Sequence, residues 1–254
     1  MRVLMLDEII ANTRNRIASA GQQRFGPGPE LRGFETALAA DGLQVIAEIK
    51  RRSPSRGDLN TTLDPAEQAL RYEAGGAAAI SVLTEPDYFG GSLEDLEAVR
   101  GSVSVPVLRK DFIVDKRQVE ESRAAGADAL LLIVAGLDEA TLEALLAECN
   151  SVGIQALVEA HNENEAAVAA SAGARILGVN NRDLATFHTD LAVAERVALT
   201  LPGDRVLVAE SGVSDISGAS RMAAAGYDAI LVGEALVTSS DPAELIRQLR
   251  GMQR

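Results

Sequence analysis

The stretch VIAEIK at residues 45–50 decides the fold of this chain. It is a short apolar run that a charged residue ends. Three runs of the same kind follow at intervals of about 50 to 60 residues: VPVLRK at 105–110, QALVE at 155–159 and RVLVAE at 205–210. Runs that are apolar on both faces and separated by helical stretches are typical of parallel strands buried on both sides.

A second series of runs lies between the first four and has the same period. Each begins at a glycine that would end the preceding helix: GAAAISV at 76–82, GADALLLI at 126–133, GARILGVN at 173–180 and GYDAILVG at 226–233. The predicted strands lie near 45–50, 78–83, 105–110, 129–133, 154–159, 176–180, 205–210 and 229–233. The predicted helices lie near 65–74, 92–100, 116–125, 138–150, 163–171, 190–199, 215–225 and 242–250. Eight βα units in 254 residues predict an α/β protein, a closed (βα)8 TIM barrel.

Residues 1–44 precede the first predicted strand. Apolar residues at helical spacing predict an amphipathic helix over residues 7–20, which GPGPE at 26–30 ends. LRGFETALAADG at 31–42 predicts a second, short helix. Because neither helix could bury a core alone, we predict a single domain over residues 1–254, with 1–44 as a helical extension of the barrel.

Composition bears on which partners the protein can bind and on the compartment in which it is expected. A net charge of −13 disfavours nucleic-acid binding. No apolar stretch reaches the roughly 20 residues of a membrane span, and the first ten residues lack the pattern of a signal peptide. Cys149 is the only cysteine, which excludes an internal disulfide and fits a reducing compartment. We therefore expect a cytoplasmic protein that binds neither nucleic acid nor membrane.

Charged and polar side chains end several of the predicted strands. The carboxyl ends of the strands converge on one mouth of such a barrel. The side chains expected around a single cavity there are Glu48, Lys50, Lys110, Glu159, Asn180 and Glu210. Lys110 follows an apolar run, so burial and nearby cations should lower its pKa and make it a useful proton donor. Glu159, across the cavity, is a candidate partner in proton transfer. The chain is therefore predicted to be an enzyme.

Two loops have the composition of a phosphate site. Ser211 and Gly212 follow the seventh strand, and Gly233 and Glu234 follow the eighth. Glycines there let backbone N–H groups approach an anion at the start of a helix, and the loops after strands seven and eight of such barrels frequently bind phosphate. A tight turn alone would explain either glycine singly. The pair predicts an anionic, phosphorylated ligand.

Other residues leave alternatives open. Glu48 and Lys50 lie on one face of the first strand, where they form either part of the catalytic site or an internal ion pair. An apolar pocket beside the charges is predicted from Tyr88, Phe89, Phe112, Phe187, Leu131 and Leu231. His161 and His188 lack metal-ligand spacing, and the chain has no dinucleotide glycine fingerprint. We therefore expect catalysis without a metal or a cofactor.

Eight stretches in their order resemble the indole-3-glycerol phosphate synthase family. They are VIAEIKRRSPSRGD, LTEPDYFGGSLEDL, VPVLRKDFIVD, ESRAAGADALLLI, ALVEAH, LGVNNRDLATFHTDL, VAESGV and AILVGEALV. The resemblance runs from about residue 5 to 250. It implies closure of the indole ring of 1-(2-carboxyphenylamino)-1-deoxyribulose 5-phosphate, with loss of carbon dioxide and water, in tryptophan biosynthesis. It also implies that the N-terminal helices lie over the barrel mouth.

The resemblance implies roles for residues at matching positions. Lys110 looks like the general acid, Glu159 like its acid–base partner, and Lys50 like a contact to the substrate carboxylate and the phosphate side. Glu48 and Asn180 would orient these groups. The implied substrate contacts are Ser53, Pro54, Phe89, Phe112, Leu131, Arg182, Ser211, Gly212, Leu231, Gly233 and Glu234. The expected partner is a small phosphorylated substrate of a monomer, with weak association with other tryptophan-pathway enzymes left open.

Departures from the family and rival functions remain to be weighed. Arg52 stands where the family often has a small residue, Lys116 and Arg117 replace a frequent Pro-Tyr, and the fused isomerase domain of some relatives is absent. The rivals are phosphoribosylanthranilate isomerase, an aldolase that forms a Schiff base through Lys50 or Lys110, and a silent phosphate-ligand binder.

Overall fold

The computed structural model describes residues 2–21, 25–184, 186–201 and 203–252. Of the N-terminal segment 1–44, Met1 and residues 22–24 therefore lie outside the described residues. The rest of that segment contains two helices, α1 (Arg2–Ser19) and α2 (Phe34–Leu38). Both predicted helices are present, and α1 begins before the predicted position 7.

Ten strands follow within the described residues. They are β1 (Gln44–Ile49), β2 (Arg52–Ser53), β3 (Gly57–Asp58), β4 (Ala79–Leu83), β5 (Val107–Lys110), β6 (Ala129–Ile133), β7 (Gln155–Ala160), β8 (Ile176–Asn180), β9 (Val206–Glu210) and β10 (Ala229–Val232). The strands β1 and β4 to β10 form one closed parallel barrel in the order β1-β10-β9-β8-β7-β6-β5-β4. The eight predicted strands and the TIM barrel are confirmed. β2 and β3 form a separate antiparallel hairpin, which was not predicted.

The helices alternate with the barrel strands. They are α3 (Pro65–Ala74), α4 (Pro86–Phe89), α5 (Leu93–Ser102), α6 (Lys116–Ala124), α7 (Glu139–Val152), α8 (Glu163–Ser171), α9 (Ala192–Ala198), α10 (Ile216–Ala224), α11 (Glu234–Val237) and α12 (Pro242–Leu249). Most begin at a side chain that accepts a hydrogen bond from the backbone of the first turn, such as Asp64, Asp138 and Asp241. All eight predicted helices are present. Sequence reasoning missed α4 and α11, which are four residues each, and the 3-10 turn Val134–Gly136.

Alternating strand residues divide the core into two layers. Val45, Ala47 and Val82 pack outward against the helices. Ile46 and Leu157 fill the barrel interior. Side chains alternate along a strand, so the polar residue at the carboxyl end of several strands lies on the same inward face as the apolar residues before it. The fold thereby positions charged side chains above an apolar interior.

The two N-terminal helices lie at opposite ends of the barrel. Phe34 and Leu38 of α2 are fully buried in the interior layer, and Glu35 accepts from Arg175, just before β8, at 2.7 Å. Those contacts are at the amino ends of the strands. Leu6 and Ile9 of α1 line the opposite mouth. The expectation that both helices lie over the mouth is therefore wrong for α2, whose apolar face closes the barrel at the amino ends of the strands.

Among the described residues, no helix combines the length and the apolar composition that a bilayer crossing requires.

Candidate active site

A cavity of about 810 Å³ opens at the carboxyl ends of the barrel strands. Every residue predicted to act in catalysis or to contact the substrate lines it: Glu48, Lys50, Ser53, Pro54, Phe89, Lys110, Phe112, Leu131, Glu159, Asn180, Arg182, Ser211, Gly212, Leu231, Gly233 and Glu234. Glu210 lines it as well. The strand ends bring these side chains together because each lies on the inward face of its strand or in the loop that follows.

The Lys110 ammonium lies at the centre of the polar wall. Its Nζ donates to Glu159 Oε2 at 3.1 Å and lies 3.3 Å from Glu210 Oε2. An ammonium has three N–H donors, and these two carboxylates engage two of them. The geometry leaves a third donor for a substrate oxygen in the cavity.

The expected direction of the Lys110 pKa shift is wrong. Burial does disfavour the charged form, but the carboxylates of Glu159, Glu210 and Glu48 outweigh it and raise the pKa of Lys110 well above its usual range. Arg109, the cation next to Lys110 in the sequence, lies on the outward face of β5, where its guanidinium binds Asp111 at 2.9 Å. The geometry therefore favours a protonated Lys110 in the free site, and its own titration is not expected to set an alkaline limit on activity.

Several neighbouring groups favour the ionised form of Glu159. Burial acts against the charged form, but the Lys110 ammonium, His161 and the Asn180 amide together lower the pKa of Glu159 below its usual range. Asn180 Nδ2 donates to Glu159 Oε1 at 3.3 Å, and Asn180 Oδ1 accepts from the backbone of Arg182 at 3.0 Å. Asn180 thus positions both Glu159 and the loop that carries Arg182, whose side chain donates to Ser55 at 2.7 Å.

Glu210 is a carboxylate to which no role was assigned from the sequence. Burial and the neighbouring Glu159 carboxylate raise the pKa of Glu210 to about 8, against the opposing charge of Lys110. Its Oε1 has no hydrogen-bond partner among the described residues and lies against Gly178 of β8. The signal for Glu210 was present, since it ends the fourth apolar run in the same way that Glu159 ends the third.

Glu48 and Lys50 form the internal ion pair that was one of the two open alternatives. Lys50 Nζ lies 2.8 Å from Glu48 Oε1, and both side chains line the cavity. Gly233 makes the close approach feasible, because a Cβ at that position would lie 2.5 Å from Glu48 Oε1. The pair is therefore both structural and accessible to a ligand.

The two predicted phosphate loops lie side by side at one wall of the cavity. Ser211 and Gly212 have positive φ angles of 63° and 90°, so the chain turns sharply after β9. Gly233 ends β10 and begins α11. Glu234 is paired with Arg56, Nε to Oε1 at 3.0 Å, which offsets the negative charge of Glu234 in the predicted phosphate loop.

The apolar wall is smaller than predicted. Phe89 and Phe112 are in contact, with ring centroids 6.2 Å apart, and Phe187 also lines the cavity. Tyr88 does not line it. Its hydroxyl donates to Glu8 of α1 at 3.0 Å, and the prediction that it belongs to the apolar pocket is therefore wrong.

His161 was set aside in the sequence because it lacks metal-ligand spacing. In the structure its Nε2 lies 3.2 Å from Glu159 Oε1. Within the described ranges, no group of three or more His, Cys, Asp or Glu side chains is arranged to hold a metal ion. No sequence signal identified the contact, which depends on how the loop after β7 turns into α8.

The indole-3-glycerol phosphate synthase family model matches residues 6–249. The chain is 54% identical to the indole-3-glycerol phosphate synthase of Mycolicibacterium gilvum and 50% identical to that of Mycolicibacterium smegmatis, each over 253 residues that cover 96% of this chain and 93% of the relative. The enzyme of that name from Streptomyces griseus is 48% identical over 96% of this chain and 94% of its own.

Solved structures support the fold. The 3-hexulose-6-phosphate synthase of Salmonella typhimurium superimposes with a TM-score of 0.66 at 17% identity, over 82% of this chain and 96% of that one. The thiamine phosphate pyrophosphorylase of Pyrococcus furiosus gives 0.62 at 16% identity, over 85% and 96%. At such identities the likeness concerns the barrel alone. The family match and the identities over nearly the whole chain go further: the chain belongs to the indole-3-glycerol phosphate synthase family.

Proposed function

We propose that Lys110 and Glu159 carry the proton transfers of the reaction that this family catalyses. The chain is a carboxy-lyase of tryptophan biosynthesis, which closes the indole ring of a small phosphorylated substrate with decarboxylation. The observation that carries the assignment of roles is the Lys110–Glu159 pair, 3.1 Å long and buried at the cavity wall.

Lys110 supports the carbon–carbon bond-forming step. Attack by an aniline ring carbon on the ribulose ketone interrupts aromaticity, so the ketone oxygen must be strongly polarised. The third N–H of Lys110 is available to that oxygen. Although its pKa is raised, the alkoxide that forms is a stronger base than an amine, so the proton moves to oxygen as the new bond forms. Loss of carbon dioxide then leaves its bonding electrons with the ring.

Glu159 supports the loss of water. The hydroxyl made in the first step leaves as water after it takes up a proton, while a base removes a proton from the ring system. Glu159 stays ionised, lies next to Lys110, and is held by Asn180. We assign to it the base role, with Lys110 as the adjacent acid after the amine has taken up a proton from solvent water.

The remaining lining residues divide into three proposed contacts. Lys50, held by Glu48, binds the substrate carboxylate. Ser211, Gly212, Gly233 and Glu234 form the phosphate cradle, with Arg182 nearby. Phe89, Phe112 and Pro54 flank the anthranilate ring above Leu131 and Leu231.

The aldolase rival requires a neutral amine, whereas both cavity lysines are paired with carboxyl groups. Lys110 is engaged by two carboxylates and Lys50 by one. Borohydride added during turnover should therefore trap no adduct on either lysine. A mass increase on Lys110 or Lys50 would favour the Schiff base instead.

At the level of the whole molecule, we propose one domain over residues 1–254, active as a monomer in the cytoplasm without metal or cofactor. The net charge of −13 supports the expectation of no nucleic-acid partner. Light scattering of the purified chain at micromolar concentration tests the monomer. Weak association with other enzymes of the pathway would show as added mass only when those enzymes are present.

The experiment that tests the activity follows the fluorescence of indole-3-glycerol phosphate formed from the synthetic substrate. We expect a fluorescence increase that requires the enzyme and persists after treatment with a metal chelator. No increase would contradict the activity, and loss of activity after chelation would contradict a metal-free reaction.

A further inference from the structure

His161 lies between two carboxylates at the top of β7. Its Nε2 is 3.2 Å from Glu159 Oε1, and its Nδ1 is 3.0 Å from Glu165 Oε2 in the first turn of α8. A neutral imidazole has one donor nitrogen and one acceptor nitrogen, whereas the imidazolium has two donors. Nδ1 is within hydrogen-bond distance of Glu165, whereas Nε2 faces the Glu159 carboxylate at ion-pair distance without an aligned hydrogen bond. With Nδ1 donating to Glu165, a neutral ring would turn the Nε2 lone pair toward that carboxylate, so the two contacts favour the charged ring.

Glu165 is itself fixed, so it can hold the ring. Its Oε2 also accepts from the backbone N–H of His161 at 2.8 Å, and its Oε1 accepts from Asn162 Nδ2 at 2.7 Å. Asn162 caps α8 by accepting from the backbone of Glu165 at 3.0 Å. A helix cap needs only the backbone N–H at position 161, which any residue provides. The imidazole is therefore an addition that the cap does not require.

The electrostatic surroundings keep the ring charged. Burial disfavours the imidazolium, but the neighbouring carboxylates of Glu159 and Glu165 outweigh it and raise the pKa of His161 to about 9. The charged groups that face the ring are Glu159 from β7 and Glu165 from α8. Lys110 of β5 lies beyond them, on the other oxygen of Glu159.

From this arrangement we infer that His161 is a positioning residue, which acts through Glu159 as an imidazolium and is itself held by Glu165. The ring fixes Glu159 Oε1, while Lys110 fixes Oε2, so the carboxylate keeps one orientation and stays ionised. The inference rests on the proposed role of Glu159 in proton transfer.

The wild-type chain can test the charge state directly. The chain contains two histidines, His161 and the exposed His188, so ¹³C-histidine labelling gives two ring signals, which His188→Asn assigns. We expect the His161 signal to remain that of an imidazolium at pH 7.5 and to titrate near pH 9. A neutral ring at pH 7.5 would overturn the inference, whatever the outcome for Glu159.

The second part of the test links the ring to turnover. Glu165→Gln keeps the size of the side chain but removes its charge, so the midpoint of the ring should fall by about one pH unit or more. The alkaline limb of the kcat profile should move down with it. In His161→Gln that alkaline limb should disappear. The kcat should fall by about tenfold with KM nearly unchanged. The loss is smaller than the roughly 100-fold or greater loss expected when proton transfer itself is removed, because His161 only positions Glu159.

Several outcomes contradict the inference. A kcat profile that stays in place in Glu165→Gln while the ring midpoint moves would assign His161 a purely structural role, and an unmoved midpoint would remove the role of Glu165. The proposed role of Glu159 in proton transfer is tested separately, because full turnover in Glu159→Gln would contradict it. Since the wild-type and Glu165→Gln measurements need no change at His161, they decide the question even if His161→Gln does not fold.

Discussion

The Glu210 carboxyl occupies the space that a side chain at Gly178 would fill. Glu210 Oε1 lies closer to the position of a Cβ on Gly178 than real Cβ contacts allow. Gly178 lies in β8 and pairs with Val208 of β9, in the strand that carries Glu210 at its end. The absence of a side chain at 178 therefore lets Glu210 reach Lys110.

Gly178→Ala should displace Glu210 and lower activity. Overpacking of a buried site costs about 1–3 kcal/mol, so we also expect a lower melting temperature. Gly101→Ala is the matched control, because Gly101 has open space around its Cα. Steady-state kinetics and thermal unfolding of both variants check the prediction. Wild-type kcat in Gly178→Ala would mean that the position of Glu210 is immaterial.

The pH dependence of stability should report the raised pKa of Glu210. Between the usual carboxyl value of 4.5 and about 8, the folded protein holds a proton on Glu210 that the unfolded chain has lost. The free energy of unfolding therefore decreases as pH rises through this window, by up to about 1.4 kcal/mol per pH unit for one proton.

Glu210→Gln removes that proton and should flatten the curve. His161 contributes a decrease of the same sign above its usual value of 6.5, so the quantity to measure is the difference between wild type and variant in urea unfolding at pH 5 and pH 8. Parallel curves would contradict a protonated Glu210 in the folded state.

Glu159→Gln should lower kcat by roughly 100-fold or more, because the amide cannot accept a proton. The melting temperature should change little, since Lys110 keeps its contact with the Glu210 carboxyl group at 3.3 Å. Glu163→Gln, at an exposed glutamate of α8, is the control. Unaltered turnover in Glu159→Gln would reduce Glu159 to a member of an ion pair.

The phosphate loops should contribute mainly to substrate binding. A substrate that lacks the phosphate should show a KM raised by about tenfold or more, since each hydrogen bond to a charged group contributes about 1.5–3 kcal/mol. Gly212→Ala should also raise KM, because its φ is 90° and a Cβ would meet the Thr189 side chain. Gly226→Ala carries the same backbone strain in open space, at φ 89°. Equal KM values for the two substrates would contradict the phosphate cradle.

Strand periodicity was sufficient to predict the barrel and the strand-end residues that line its mouth, whereas most of the loop contacts came from the family resemblance. The apolar runs that end at Lys50, Lys110 and Glu159 place those residues by alternation alone, and all three line the cavity. Alternation fixes which face a residue occupies. For residues at strand ends, alternation therefore determines which side chains line the site, whatever the conformation of the loops.

Interactions that depend on distances between elements were not predictable. The direction of the Lys110 pKa shift depends on three carboxylates from three other strands. The contact of His161 depends on the turn into α8. The position of α2 at the amino ends of the strands depends on the fit of Phe34 and Leu38 to the interior. Short elements such as α4 and the β2–β3 hairpin have too few residues to show a period.

The most direct test of the account is the kcat of Lys110→Met, measured by product fluorescence. The variant keeps the length of the side chain but cannot donate a proton, while Lys116→Met alters an exposed lysine that pairs with Glu148. We predict that kcat falls by roughly 100-fold or more in Lys110→Met, and that it stays at the wild-type value in Lys116→Met. Full turnover in Lys110→Met would contradict the assignment of Lys110 as the proton donor.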